Sequence, residues 1–186
     1  MAEPIQPPPP ELAGLDLAGI ARLAADRRPP PVESWDPPHC GHSGMRIAAD
    51  GGWWHEGSPL SRPAMVRLFA SVLRREPDGG YVLVTPVEKL AIDVDDLPFV
   101  ATGMTSEGEG RARRIAFQTQ LGDLVVAGPE RPLTFRGGPA VRMRGGLWAR
   151  IARPVYYEIV ELALAEADDP PGLWSDGALF PLDDEG

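Results

Sequence analysis

The sequence predicts an α+β protein built of two similar helix-on-antiparallel-sheet units. Three observations carry this. Two stretches share one order of features: a short strand, a Gly-Gly turn, a tryptophan, an apolar-x-Arg-Pro step, an amphipathic run, an Asp-Gly turn and a closing strand. Between them lie short β-like runs broken by glycine, proline or aspartate. Both Arg-Pro steps stand where a helix tolerates proline, since the first backbone N–H groups of a helix have no internal partner.

Element by element, the chain opens with proline runs at Pro7–Pro10, Pro29–Pro31 and Pro37–Pro38. Such runs favour extended polyproline II. Between the first two, Leu12, Leu15, Ile20 and Leu23 space out an amphipathic helix over Glu11 to Asp26. Met45-Arg46-Ile47 reads as a strand and Asp50-Gly51-Gly52 as its turn. After Trp53-Trp54 a helix is expected from Pro63 to about Arg75, with Ser61 as N-cap. Its apolar face is Met65, Val66, Phe69, Val72 and Leu73, with Arg67, Ser71 and Arg74 opposite. Tyr81 to Val84 closes the first unit. Further strands are expected over Glu88 to Val94, Pro98 to Met104, Ile115 to Gln120, Asp123 to Val126 and Leu133 to Arg136, with Gly108 to Arg111 as an exposed hairpin tip. The second copy of the pattern runs from Val141-Arg142-Met143 through Gly145-Gly146, Trp148 and Arg153-Pro154 into a helix to about Glu166. It ends on Ser175-Asp176-Gly177 and Ala178-Leu179-Phe180. The implied divisions are an arm over 1–37, a first repeat over 38–98 and a larger second repeat, with an acidic tail at Asp183-Asp184-Glu185, over 99–186.

Composition excludes several function classes. The net charge is −9, which argues against general nucleic-acid binding. No apolar run reaches the ~20 residues of a membrane span, so no membrane partner is expected. The lone cysteine, Cys40, forbids an internal disulfide, and the start of the chain lacks a secretory pattern, so a cytoplasmic setting is expected. Charge is segregated: residues 42–75 carry five basic and two acidic groups, residues 105–153 nine and four, and residues 154–186 no basic and nine acidic groups. Basic groups therefore gather in the two repeats, and nearly all are arginine, whose planar fork suits phosphate and carboxylate.

The residues of the repeat also resemble a known family. Met45-Arg46-Ile47-Ala48-Ala49-Asp50-Gly51-Gly52-Trp53, Gly57-Ser58-Pro59-Leu60 and the run from Leu68 to Arg75 are similar to the signature of domain-of-unknown-function family 1285, uncharacterised bacterial proteins. Tyr81 to Lys89, Asp96 to Val100, Arg153 to Tyr157 and Gly172 to Ser175 extend the resemblance over roughly 35–182. Gln118-Thr119-Gln120 departs from it where Thr-Asn is expected. The resemblance implies a duplicated α+β core, a second half loosely similar to pleckstrin-homology-like folds, a nucleotide-like ligand between the halves, and a role in signal transduction.

On the residues themselves, Arg46 with Arg142, and Arg62 with Arg153, occupy matching places in the two copies. Convergent arginines beside aromatic faces suit a phosphorylated planar ligand, with forks on phosphate and stacking on the base. The candidate ligand-binding set is Arg46, Trp53, Arg62, Arg67, Arg142, Arg144, Arg153 and Trp174. The bland alternative is that the arginines pair with Asp50, Glu88, Asp93, Asp95 and Asp96 while the tryptophans fill the core. No cofactor, catalytic residue or metal ligand is assigned. Gly41-His42-Ser43-Gly44-Met45 lacks the second glycine of a nucleophile elbow, and no Walker loop is present. The reading is thus a non-enzymatic ligand-binding protein. Its alternatives are a metal-dependent hydrolase using His39, Cys40, His42 and His55, and a protein-interaction module acting through the proline arm and acidic tail.

Overall fold

The computed structural model of the chain describes residues 29–166 and 171–182. The Glu11 to Asp26 helix and the Asp183 to Glu185 tail lie outside the described residues. Within them the first half consists of β1 (His39–Ile47), β2 (Trp53–His55), β3 (Ser58–Pro59), α1 (Pro63–Ser71), β4 (Leu73–Arg75), β5 (Tyr81–Val84) and β6 (Lys89–Val94). The second consists of β7 (Phe99–Glu107), β8 (Arg114–Thr119), β9 (Leu124–Val126), β10 (Leu133–Thr134), β11 (Ala140–Arg142), β12 (Trp148–Ile151), α2 (Arg153–Glu166), β13 (Gly172–Ser175) and β14 (Ala178–Pro181).

Each half makes a six-stranded sheet. The strand orders are β3-β2-β1-β6-β5-β4 and β10-β11-β12-β7-β8-β9. These are one topology: two antiparallel meanders of three strands, joined where the first strand of one runs parallel to the last strand of the other. The joins are β1 with β6 and β7 with β12. The fold is therefore α+β with two similar units, and each otherwise antiparallel sheet has one parallel seam at its centre. A parallel pair needs a long crossover, which is why each seam unites strands far apart in the chain.

The duplication in the sheets has a different register from the one in the sequence motifs. By topology β1 answers to β7 and β6 to β12, whereas the motif pairs β1 with β11. Both motif copies do fold as a hairpin, a helix and a second hairpin. The first places its later hairpin, β4–β5, in the main sheet, and the second makes a separate two-stranded ribbon of β13 and β14. Arg46 and Arg142 accordingly stand on strands that the two sheets do not treat as equivalent.

Local chemistry accounts for the elements. Pro63 lies in the first turn of α1, as expected, but the N-cap is Arg62 rather than Ser61, with no side-chain cap. The helix stops at Ser71, short of the expected Arg75. Leu73 is fully buried and pairs with Leu83 in the sheet, and that ladder outcompetes one more helical turn at β-branched Val72. Met65 is consequently exposed and Arg74 buried, the reverse of their places in the amphipathic pattern. The Gly145-Gly146 turn has φ of 50° and 80°, a primed turn matched to strand twist, closed by the Leu147 N–H donating to the Arg144 carbonyl at 2.8 Å.

One continuous core joins the halves. Ile47, Trp53, Leu73 and Ile92 from the first pack in the same cluster as Phe117, Val141, Ile151 and Ile159 from the second. In α2 the buried positions Val155, Ile159 and Ala163 recur every four residues along the face turned to the core. Truncating a fully buried side chain such as Phe117 to alanine is expected to cost roughly 3–5 kcal/mol.

Candidate functional site

On the first half's side of the junction, Arg74 anchors a line of polar contacts. Its guanidinium donates to the Val32 carbonyl at 2.8 Å, to the Trp35 carbonyl at 2.6 Å and to Glu76 at 2.7 Å. Glu76 also receives Lys89 at 3.3 Å. Burial alone would raise the Glu76 carboxyl, but the bonds from Arg74 and Lys89 outweigh it and hold the group below its ordinary value. Arg74 thereby straps residues 32–35 to β4, while Val32 packs on Val82 and Val84. The strap ends in a short 3-10 turn that presents Glu33.

Opposite the strap stands the Gly145-Gly146 turn of the second half. A Cβ on Gly145 would meet Glu33 Oε1 at 2.5 Å, and one on Gly146 would meet Arg75 Cδ at 3.6 Å. The positive φ of both residues, 50° and 80°, is what favours glycine here, and a Cβ on Gly145 would also push the Glu33 carboxylate aside. Strap, β4 and turn border an open cleft of ≈ 450 Å³ lined by Glu33, Trp35, Asp36, Arg74, Arg75, Glu76, Pro77 and the two glycines. The Arg75 guanidinium lies 5.7 Å above the Tyr81 ring and meets no carboxylate among the described residues. The Tyr81 hydroxyl is pushed up by burial. The cleft thus combines a tryptophan, one guanidinium drawn to a tyrosine ring, and two exposed carboxylates.

Beneath the turn, Arg144 reaches across the junction. It donates to the Ala70 carbonyl at 2.6 Å and the Leu73 carbonyl at 3.2 Å, where α1 ends. Burial lowers its affinity for a proton, which nearby Asp123 and Glu33 partly offset. A second tie is made by Gln120, whose Oε1 accepts from the Val100 N–H at 2.8 Å and whose Nε2 donates to the Gly51 carbonyl at 3.4 Å.

Two family models match the chain: the N-terminal domain of domain of unknown function DUF1285 over residues 30–97, and its C-terminal domain over residues 98–182. The chain belongs to the DUF1285 family. It is similar to the crystal structure of a DUF1285 family protein from Silicibacter pomeroyi DSS-3, with 44% identity and a TM-score of 0.77, covering 91% of this chain and 96% of that one. A DUF1285 family protein from Shewanella baltica OS155 matches at 28% identity and a TM-score of 0.54, over 68% of this chain and 98% of that one. No curated protein matches. In this DUF1285 chain the cleft takes residues from both matched parts: strap and β4 from the first, the Gly-Gly turn from the second.

None of the eight residues named from the sequence is among those lining the cleft. Arg144 borders it through the turn it precedes. Arg46 is bonded to Asp95 at 2.7 Å and lies 5.9 Å above Trp54. Trp53 is 3% exposed and part of the core, so its ring offers no free stacking face. Trp174 lies under Arg111 at 5.0 Å. Arg62, Arg67, Arg142 and Arg153 are exposed and meet no carboxylate among the described residues.

Of the metal-like cluster, His39 Nδ1 accepts the Gly41 N–H and His42 Nδ1 the Gly44 N–H, while His42 Nε2 lies 3.4 Å from Asp93. The Cys40 side chain lies outside the described set. Among the described residues no three His, Cys, Asp or Glu side chains come together as metal ligands. Asp95 and Asp96 are taken by Arg46 and Arg150. No helix among them is long and apolar enough to cross a membrane.

Strap and cleft escape a reading of the sequence alone. The available signals are Trp35 between two proline runs, an aromatic in a stretch otherwise poor in them, and Gln120 as a departure from the family pattern.

Proposed function

We propose that the chain is a non-enzymatic, cytoplasmic ligand-binding protein that takes a nucleotide-like anion in the cleft between its halves. The carrying observation is the cleft itself, whose volume falls in the range of small-molecule sites. Its lining brings together Arg75, Trp35, Glu33 and Asp36. In this reading Arg75 holds the phosphate and Trp35 stacks on the base. Glu33 and Asp36 accept N–H groups from the donor edge of that base, which keeps the phosphate at the opposite end from the acids. Occupancy is relayed to α1 through Arg144, adjoining the Gly-Gly turn, and this is the basis for a signalling role. The pleckstrin-homology likeness of the second half belongs to the same reading.

The test is a thermal-shift panel of nucleoside monophosphates against inorganic phosphate at low salt, since a ligand that binds only the folded state raises the melting temperature. Stabilisation by a nucleotide with a donor-bearing base, lost in Arg75→Ala and weakened in Trp35→Ala, supports the cleft. Loss of the shift in the Arg46→Ala/Arg142→Ala double variant, with Arg75→Ala unaffected, moves the ligand to the arginine set named from the sequence. Absence of a shift with every phosphate-bearing ligand overturns the proposal.

A further inference from the structure

The outward faces of the two helices are opposites of one another. On α1 the buried positions are Val66 and Ala70, which turns Leu68, 63% exposed, directly to solvent with Met65 beside it. The charges framing this pair are Arg62 and Arg67, and residues 60–75 contain no acid at all. On α2 the buried positions are Val155, Ile159 and Ala163, which turns Tyr157 and Leu164, 57% and 63% exposed, to solvent. Here the framing charges are Glu158 and Glu161. Arg153 stands a full turn above Tyr157, at the N-terminal end, leaving the middle of the face acidic. Neither the two glutamates nor Arg62 and Arg67 have an ion-pair partner among the described residues.

We propose that α1 of one molecule docks on α2 of a second copy of this chain. Leu68 and Met65 would lie against Tyr157 and Leu164, with Arg67 facing Glu161. Met65 and Leu68 stand three residues apart and Tyr157 and Leu164 seven apart, the spacing of anchors in helix docking, and charge sign selects the partner. An α1 face opposing another α1 face would set arginine against arginine, and α2 on α2 glutamate against glutamate. The α1-on-α2 pairing alone is complementary. Every copy carries both faces, so the contact is heterologous: the first helix of one molecule sits on the second helix of the next, and it either closes into a ring or continues head to tail. The occupant is another copy because the chain itself supplies the matching face.

Charge reversal tests this by sedimentation velocity, with near-ultraviolet circular dichroism to confirm that each variant is folded. The wild-type chain is expected to self-associate. Arg67→Glu and Glu161→Arg are each expected to weaken association about tenfold, because every α1-on-α2 contact turns repulsive. An equimolar mixture of the two variants is expected to recover it, since the introduced carboxylate on α1 of one chain then meets the introduced guanidinium on α2 of the other. Leu164→Ser is expected to weaken association without changing charge. A wild-type chain that stays monomeric, single reversals without effect, or a mixture that fails to recover would each overturn the proposal.

Discussion

The Arg144 guanidinium donates a 2.6 Å hydrogen bond to the Ala70 carbonyl, so the last turn of α1 ends on a charge supplied by the other half of the chain. A cation at a helix C-terminus complements the helix dipole, and this one also satisfies the Leu73 carbonyl. Arg144→Met keeps the stem but leaves both carbonyls without that donor. The expected loss is about 2–3 kcal/mol, read as a lower urea midpoint. Arg144→Lys is expected to recover part of it, and a loss below about 0.5 kcal/mol would show that water serves the helix end equally well.

Gly51 and Gly57 both have positive φ, 86° and 82°, but different surroundings. A Cβ on Gly51 would meet Gln120 Nε2 at 2.6 Å and Val100 Cγ2 at 3.1 Å, while Gly57 has nothing within 4 Å. Gly57→Ala is expected to cost only the conformational penalty of about 1–2 kcal/mol. Gly51→Ala adds displacement of the bridge between the halves, for a total of about 3 kcal/mol. Equal costs in thermal unfolding would mean that Gln120 yields freely.

Arg113 and Glu166 form a buried pair. Glu166 Oε1 accepts from Arg113 Nη2 at 2.7 Å and from the Gly110 N–H at 2.9 Å, while Arg113 Nη1 donates to Ser106 at 2.6 Å. The two side chains are 9% and 11% exposed. Glu166→Ala strands a buried charge and is expected to cost about 3 kcal/mol. The double variant Arg113→Met/Glu166→Leu is expected to be more stable than the single one. Simple additivity of the two substitutions would refute that coupling.

Acid should loosen the fold through identifiable carboxylates. Arg150 bonds Asp96 at 2.7 and 2.8 Å and holds its carboxyl below the usual value, and Glu76 is likewise depressed. A folded-state pKa below the unfolded one gives stability that is complete above the unfolded value, about 4, and is lost as pH falls through the folded value. The urea midpoint should therefore hold between about pH 7 and 5 and drop below about 4. Asp96→Asn should make that acid limb shallower; an unchanged limb would assign the drop to other groups.

The strands and turns are readable because they depend on neighbours in sequence. Glycine pairs, Asp176-Gly177 and the Tyr81 to Val84 run each carry a local preference that packing reinforces. The end of α1 is not, because Leu73 and Arg74 suit a helix and a strand equally until Leu83 arrives to pair with them. Arg74 falls on the polar side of the helical pattern, yet its burial rests on carbonyls 39 and 42 residues away. Similarly, the cleft depends on a glycine turn lying against Glu33, a meeting that no local pattern announces. Gln120 stands out in the sequence as a departure from the family pattern, and its amide proves to join the halves.

Phe99 on β7 pairs with Ala149 on β12, fifty residues further along. During synthesis β7 emerges well before its central partner exists. Its apolar side chains Phe99, Val100 and Ala101 must wait, shielded only by β8 and the strands already made. Closure across so long a loop is slow and leaves an unpaired strand edge exposed in the meantime. The first half meets the same delay, since His39 on β1 pairs with Lys89 on β6 fifty residues later, so each half in turn presents an unpaired central strand, a target for chaperone binding, until its last meander is made.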